Sequence, residues 1–143
     1  MATLTIRNRI LDRIKAILEA ITGVEEVSID KTTLISIDSV PMASCFIYAG
    51  PETRAKDDRQ VLGRETWVFI VQIELWTYIE DSETMLGSIH DAMYADRTLS
   101  GLAVNSYRIG ADSRYFDLDG QRKAMLIPFE IVYRNILGDM FTG

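Results

Sequence analysis

Two adjacent carboxylates, Asp57 and Asp58, are the side chains best suited by type and spacing to acid–base chemistry or to Mg²⁺ binding. Either role needs a fixed, partly desolvated pocket. The pair is instead followed by Arg59 inside a charge-dense segment, ETRAKDDRQVLGRE, at residues 52–65. We therefore interpret these carboxylates as part of a solvated loop, or as partners in intersubunit salt links, and not as a catalytic pair.

A second group of carboxylates begins the spacing of a calcium loop. Asp117, Asp119 and Gly120 match its start, but the full pattern needs further oxygen ligands and a glutamate at the twelfth position. That position is Pro128. Because an Asp-Gly pair before a strand is typical of a turn, the sequence predicts a turn here and not an ion site.

The sequence offers few side chains for nucleophilic catalysis or metal binding, since it has one cysteine and one histidine. Cys45 lies in the apolar run ASCFIYA, where a free thiol usually packs as a small hydrophobic group. His90 lies in a predicted helix, without a second histidine or a cysteine to complete a transition-metal site. The motifs GxxxxGK[ST], GxGxxG and GxSxG are absent from the sequence. We expect no enzymatic activity, no cofactor and no metal.

Length, composition and charge indicate one globular domain over residues 1–143. Of these residues 48% are hydrophobic and 25% are charged. No apolar run approaches the roughly 20 residues that cross a bilayer, and the start of the chain does not resemble a secretory signal. We therefore expect no membrane association, and a protein made and used in a cytoplasm or released from one by lysis.

The net charge of −6, from 21 acidic and 15 basic residues, argues against a protein that binds duplex DNA. Such binding relies on clustered Lys and Arg that displace counterions from the phosphates. A negative surface would instead repel phosphates. The charge is therefore compatible with a protein that DNA passes without specific binding.

Hydrophobic periodicity predicts an α+β fold, with a largely antiparallel sheet packed by two helices. The helices are predicted at residues 4–22 and from Asp81 or Ser82 to about Ala95, and the strands at residues 24–30, 43–49, 66–78, 102–112 and 123–134. Gly50-Pro51 is expected to stop the second strand, and residues 113–122 to form a polar loop. Pro128 cannot donate to a ladder, so the last strand is expected at a sheet edge or with a bulge there.

The long strand at residues 66–78, TWVFIVQIELWTY, has two different faces. With a period of two, one face carries Trp67, Phe69, Val71, Ile73 and Leu75, and the other carries Val68, Ile70, Gln72, Glu74, Trp76 and Tyr78. The first face suits burial beneath the helices. The second is too apolar to be simply solvated and too polar to be core, which predicts a surface that meets another protein.

Two further segments have alternative interpretations. The extended charged loop at about residues 51–65 is either a mobile solvated flap or an arm that orders on a neighbouring subunit. The short C-terminal tail at about residues 136–143 contains Met140 and Phe141. Because termini fray unless they are docked, this tail either folds back on its own domain or packs on a partner.

The order and texture of these segments resemble one family across roughly residues 6–134. The resemblance comprises the helix ending in ITGV (21–24), SVPM (39–42), the strand CFIY (45–48), the charged loop, the long strand with its helix, LSGL (99–102), and AMLIPFEIVYR (124–134). The family is that of the tail-terminator proteins of long-tailed bacteriophages, also called minor tail or tail-completion proteins.

The resemblance implies a structural virion protein in the tail or neck. Its small α+β subunit would form a homohexameric ring that caps the tail tube, stops its polymerisation and joins it to the head. The implied partners are further copies of the chain, the tail tube protein and a head-completion or neck protein, with DNA passing through the lumen.

The residues themselves, and not the family, suggest where such a ring would be joined. The candidates are Arg54, Lys56, Asp57, Asp58 and Arg59 for charge register, Trp76 and Tyr78 on the second face of the long strand, and Pro128, Met140 and Phe141. Asp117 and Asp119 are possible lumen-facing carboxylates. Three alternatives stay open: a neck or head–tail connector protein, a cellular protein-binding adaptor, and a small hydrolase that uses Asp57 and Asp58.

Overall fold

A computed structural model describes residues 4–30, 43–55, 63–116, 121–136 and 138–143, with the backbone alone for 114–116. Its elements are α1 (Ile6–Glu19), β1 (Glu26–Ile29), β2 (Ser44–Arg54), β3 (Arg64–Tyr78), a 3-10 turn (Ile79–Asp81), α2 (Ser82–Ala95), β4 (Asn105–Arg108), β5 (Asp112–Phe116) and β6 (Arg122–Ile136). The strands form one sheet in the order β1-β2-β3-β6-β4, with β5 also paired to β6. Among these pairs only β1 and β2 run parallel. The predicted α+β class is confirmed.

The helix α1 begins at a side-chain cap and ends before a glycine turn. The Thr5 hydroxyl oxygen accepts the Asn8 N–H at 3.2 Å, which satisfies one of the unpaired donors of the first turn. Ile10, Ile14 and Leu18 recur four residues apart and are fully buried. Gly23 then turns the chain with a φ of +94°. The helix is shorter than the predicted 4–22 because the cap and the turn lie outside it.

Both helices cover the same face of the sheet. One core cluster joins the buried side chains of α1 and α2 to alternate residues of the central strands, among them Phe69, Val71, Ile73 and Leu75 of β3 and Ile127, Phe129 and Ile131 of β6. The β3 residues between them are only half-buried. The predicted two-faced pattern of the long strand is therefore confirmed, with the helices on its apolar face.

The strand β2 continues to Arg54, so the predicted stop at Gly50-Pro51 is wrong. The register against β3 shifts between Ala49 and Glu52, so Gly50 and Pro51 together lie opposite the single residue Ile70. This is a β-bulge in β2. A Cβ at Gly50 would lie 2.7 Å from the main-chain oxygen of Ile70. Only glycine allows that approach. Both ends of the expected charged loop therefore belong to strands, while residues 56–62 lie outside the described part of the chain.

Pro128 lies in the middle of the sheet, so the predicted edge position is also wrong. The strand β6 pairs with β3 on one side and with β4 and β5 on the other, and its register with β3 is unbroken at Gln72 and Pro128. The carbonyl of Pro128 accepts the Ile109 N–H at 3.0 Å. The proline nitrogen faces the same side, where residues 109–111 separate β4 from β5. The neighbouring segment is therefore irregular here, while β6 itself is regular. No hydrogen bond of the β-ladder is lost through the missing N–H of Pro128.

The region after α2 differs most from the prediction. Residues 102–112 were expected to form one strand, but β4 occupies only Asn105–Arg108 and β5 begins at Asp112. Before β4 the chain turns through Leu99, Ser100 and Gly101, all at positive φ. The strand β5 then occupies residues 112–116, at the start of the expected polar loop. Leu99 is fully buried despite its φ of 50°. Its burial holds this turn against the core.

Candidate assembly surfaces

The one cysteine of the chain is packed in the core, and its one histidine is hydrogen-bonded to an arginine. Cys45 is fully buried, and burial raises the pKa of its thiol to about 12, which keeps it protonated. The His90 Nδ1 accepts a hydrogen bond from the Arg108 Nε at 3.2 Å, and its ring stacks on Tyr94 with 4.4 Å between centroids. Within the described ranges no three His, Cys, Asp or Glu side chains are grouped to hold a metal ion.

Several predicted positions cannot be placed. The candidates Lys56, Asp57, Asp58 and Arg59 lie outside the described residues, as do Asp117, Asp119 and Gly120. Arg54 is exposed at the end of β2, and Tyr78 is 38% exposed at the end of β3. In the part of the chain that the structure describes, no helix is long and apolar enough to cross a membrane.

The side of the sheet away from the helices is called the open face here. It comprises Val68, Ile70, Gln72, Glu74 and Trp76 of β3 and Leu126, Pro128, Glu130 and Val132 of β6. Every one of these residues is half-buried, so none is core and none is fully solvated. The cross-strand register sets Val68 beside Val132 and Ile70 beside Glu130. Apolar and charged side chains therefore alternate across one continuous surface that includes Trp76 and Pro128.

The polar groups of the open face are held in place by aromatic donors. The Trp76 indole N–H donates to Glu74 Oε1 at 2.7 Å, and the Tyr107 hydroxyl donates to Glu130 Oε1 at 3.0 Å. The Trp76 ring also meets Phe46 edge to face, with 5.8 Å between centroids. Side chains that are already ordered lose less entropy when a partner binds. The open face is thus preorganised for contact.

The C-terminal tail folds back on its own domain through its backbone. The Ile6 N–H donates to the Met140 carbonyl at 3.0 Å, and the Ile136 N–H donates to the Thr142 carbonyl at 2.7 Å. The buried Asn135 amide nitrogen adds bonds to the Ile136 and Asp139 carbonyls. The Met140 and Phe141 side chains nevertheless remain 57% and 45% exposed. Of the two interpretations of the tail, the backbone follows the first, and both side chains point into solvent.

Glu52, the first acid of the predicted charged arm, is bound to its own domain. It accepts a hydrogen bond from the Tyr133 hydroxyl, and its other oxygen lies 3.6 Å from the guanidinium of Arg7. Arg7 also donates to the Gly50 carbonyl at 2.9 Å. Tyr133 is 5% exposed, and its burial, followed by the bond to Glu52, raises its pKa. This end of the segment therefore joins α1 to the bulge of β2.

The strand β4 forms one outer edge of the sheet, and side chains occupy two of its main-chain donors. The Ser106 N–H donates to Asn105 Oδ1 at 2.9 Å, and the Arg108 N–H donates to the Tyr94 hydroxyl at 3.1 Å. An edge whose donors are taken is a poor template for adding a strand. Any partner at this edge is therefore met by side chains.

Two arginines flank β4, and both are held by neutral acceptors. The Arg97 Nε donates to Asn105 Oδ1 at 3.1 Å, while the Arg108 Nε donates to the His90 imidazole. The ion pairs found among the described residues involve other arginines. The charges of Arg97 and Arg108 are therefore not neutralised by a described carboxylate.

Exposed apolar residues stand at both ends of the same strand. Val104 and Ile109 bracket β4 and are 45% and 47% exposed. We call Arg97, Val104, Arg108 and Ile109 the β4 edge. The sequence does not indicate these residues, because a strand predicted over 102–112 does not show which side chains face outwards and Arg97 lies outside that range. The signal that was present is an apolar residue beside a basic one, at Arg108 and Ile109.

Comparisons with known proteins add little to this geometry. No protein-family model and no curated protein matches the sequence. Among solved structures, the chain is similar to one from the virion of a native gene transfer agent particle, with 15% sequence identity over 90% of this chain and 92% of that one. The TM-score is 0.35. A similarity at this level carries no conclusion about fold or function.

Proposed function

We propose that this chain is a structural virion protein, a tail terminator whose copies form a ring that caps the tail tube and joins it to the head. The observation that supports this most is the open face. Both helices lie on the other side of the sheet, and the open-face side chains of β3 and β6 are only half-buried, whereas Phe46 of β2 beside them is fully buried. The sequence resemblance to phage tail terminators supports the same role.

The composition of the open face fits contact between subunits. Stable assembly interfaces combine apolar area with a few ordered polar groups, as Val68, Ile70 and Trp76 do with Glu74 and Glu130. At about 3.3 Å per residue and roughly 4.8 Å between strands, residues 68–76 of β3 and 126–132 of β6 cover on the order of 300 Å². A standard interface buries roughly 800 Å² per partner, so neighbouring parts of the subunit would contribute to the contact as well.

The proposed role needs no catalysis and no specific DNA binding. The thiol of Cys45 is buried and protonated, and His90 is held as an acceptor by Arg108. The net charge of −6 disfavours adhesion to phosphates. We propose that DNA passes through the lumen of the ring, and that the partners are further copies, the tail tube protein and a neck protein.

Sedimentation velocity and negative-stain microscopy of the purified chain test this function. We expect a ring, and we expect the protein to stop the growth of tail tubes when it is added to tail-tube subunits of the same genome. Val68→Lys places a charge on the open face and should weaken assembly or tube binding. Ala16→Lys, at an exposed position of α1, is the matched control. A protein that stays monomeric at all concentrations and leaves tube growth unchanged refutes the proposal.

A further inference from the structure

We propose that neighbouring copies of this chain meet head to tail, with the β4 edge of one copy against an acidic edge at β1 of the next. This inference rests on the proposed ring and names the surfaces that close it. Head-to-tail contacts between two different surfaces are what generate closed rings. The two surfaces lie at opposite ends of the sheet, whose strand order begins at β1 and ends at β4.

The edge at β1 is acidic. Residues 19–30 contain Glu19, Glu25, Glu26 and Asp30 but no lysine or arginine, and Lys31, which follows, lies outside the described residues. Glu25 and Asp30, which bracket β1, are exposed, and no ion pair joins either of them to another described residue. The Asp30 carboxylate also affects the titration of a nearby tyrosine. The pKa of Tyr48 is raised by burial first and then by the carboxylates of Glu74 and Asp30.

The β4 edge carries the complementary charge. Arg97 and Arg108 donate hydrogen bonds to neutral groups, so each guanidinium keeps its full charge. Opposite charges on two facing surfaces steer association and fix the register, while like charges exclude other arrangements. A chain of net charge −6 would otherwise repel its copies. The two arginines are the counterpart that the acidic edge requires.

The directions of the strands set which charges meet. The strand β1 is parallel to β2, and the successive antiparallel pairs β2-β3, β3-β6 and β6-β4 make β4 run opposite to β1. Rotation about an axis roughly along the strands brings β4 of one copy beside β1 of the next in an antiparallel sense. Arg108, at the end of β4, then faces Glu25, before the start of β1. Arg97, held at Asn105 at the start of β4, faces Asp30.

The spacing of the two charge pairs is compatible with this arrangement. At about 3.3 Å per residue, Glu25 and Asp30 lie roughly 16 Å apart, and the two ends of β4 lie roughly 10 Å apart. Long arginine side chains can span that difference. Exposed Val104 and Ile109 supply apolar area at the β4 edge. Side chains make the contact because donors of β4 are already occupied.

Charge exchange between two variants tests the inference. The base-edge variant is Arg97→Gln with Arg108→Glu, and the acid-edge variant is Glu25→Lys with Asp30→Asn. Asparagine is chosen at position 30 because the φ of Asp30 is 51°, which Asn adopts readily. Each variant alone puts like charges into every junction, so its dissociation constant should rise by more than about tenfold.

An equimolar mixture of the two variants should assemble again. In an alternating ring each reversed β4 edge meets a reversed β1 edge, so every junction regains opposite charges. The control variant, Asp12→Lys with Glu83→Gln, changes the net charge as much as the acid-edge variant at exposed helix positions. It should assemble like the wild type. Circular dichroism establishes that each variant is folded.

The outcomes separate this inference from the proposed function. Rescue in the mixture, with each folded variant monomeric alone, supports the β4–β1 contact. A wild-type ring whose variants assemble equally well overturns the contact and leaves the ring intact. Folded variants that fail alone and also fail together overturn it as well. A monomeric wild type removes both proposals.

Discussion

Replacing Tyr133 with phenylalanine should destabilise the fold by about 1.5 kcal/mol, within the range of roughly 1.5–3 kcal/mol for hydrogen bonds to charged groups. The hydroxyl donates to Glu52, which also lies 3.6 Å from Arg7. The effect should fall at the low end because the Glu52 side chain is 19% exposed and water can replace the lost donor. The Phe69 ring contact, edge to face at 5.7 Å, is kept, so no cavity opens.

The same substitution should change the pH dependence of stability. In the folded protein the pKa of Tyr133 is raised, first by burial and then by Glu52, while an unfolded tyrosine titrates near pH 10, as about 10 is its ordinary pKa. A raised folded pKa contributes stability that is present below pH 10 and lost as the pH rises above it. The wild type should therefore lose more stability than Tyr133→Phe between pH 9 and 11.

Urea unfolding at pH 7 measures the first effect, at two protein concentrations because the proposed assembly would also stabilise the fold. A double-mutant cycle with Glu52→Ala, which removes the acceptor, assigns the loss to this hydrogen bond. If Tyr133→Phe costs as much in the Glu52→Ala background as in the wild type, the assignment is wrong. A loss below about 0.5 kcal/mol at pH 7, the scatter of ordinary surface substitutions, would also refute it.

Three shorter predictions follow from other contacts. Gly50→Ala should cost about 1–3 kcal/mol in urea unfolding, because its Cβ would lie 2.7 Å from the Ile70 oxygen; an unchanged midpoint would contradict the close approach. Cys45 should resist iodoacetamide at pH 8 in the native protein and react in urea, since its pKa is about 12, and rapid native labelling would contradict this burial. The pKa of Asp96 is lowered, first by the backbone N–H of Ser100. The Asp96 carboxylate therefore contributes folding stability that is present above about pH 4 and lost as the pH falls further. Asp96→Asn should therefore flatten the acid limb of the stability curve, and an identical acid limb in both proteins would refute it.

The sequence was informative wherever local periodicity decides the structure. The alternation in residues 66–78 predicted both faces of β3, since side-chain direction in a strand follows from the backbone. The four-residue recurrence of Ile10, Ile14 and Leu18 predicted α1 for the same reason. The mixed second face was also predicted to be uncovered by the helices, as the open face is.

The failures lie where a distant strand decides the outcome. Gly50-Pro51 has the composition of a strand end, but the bulge forms because β3 continues on the other side and brings Ile70 against the glycine. A proline is excluded from a central strand only where its nitrogen faces a neighbouring strand that needs a hydrogen-bond donor at that position. The break between β4 and β5, which cannot be read from residues near Pro128, removes that conflict.

The candidate surfaces show the same division. Trp76 was selected from strand alternation, and the structure places it on the open face. The neutral acceptors of Arg97 and Arg108 are Asn105 and His90, respectively, and no spacing rule predicts either pair. Which charges a sheet edge exposes depends on neighbours that come together only in the folded chain, so the sequence alone does not predict it.

The central position of β6 has a consequence for biosynthesis. This strand leaves the ribosome after all the strands that it joins, so β4 and β5 have no place in the sheet until it emerges. Domains whose pairings are distant in sequence complete their folding late. A nascent chain therefore lacks one half of its open face during most of its synthesis. Any contact that needs the whole open face is delayed by the chain's own topology.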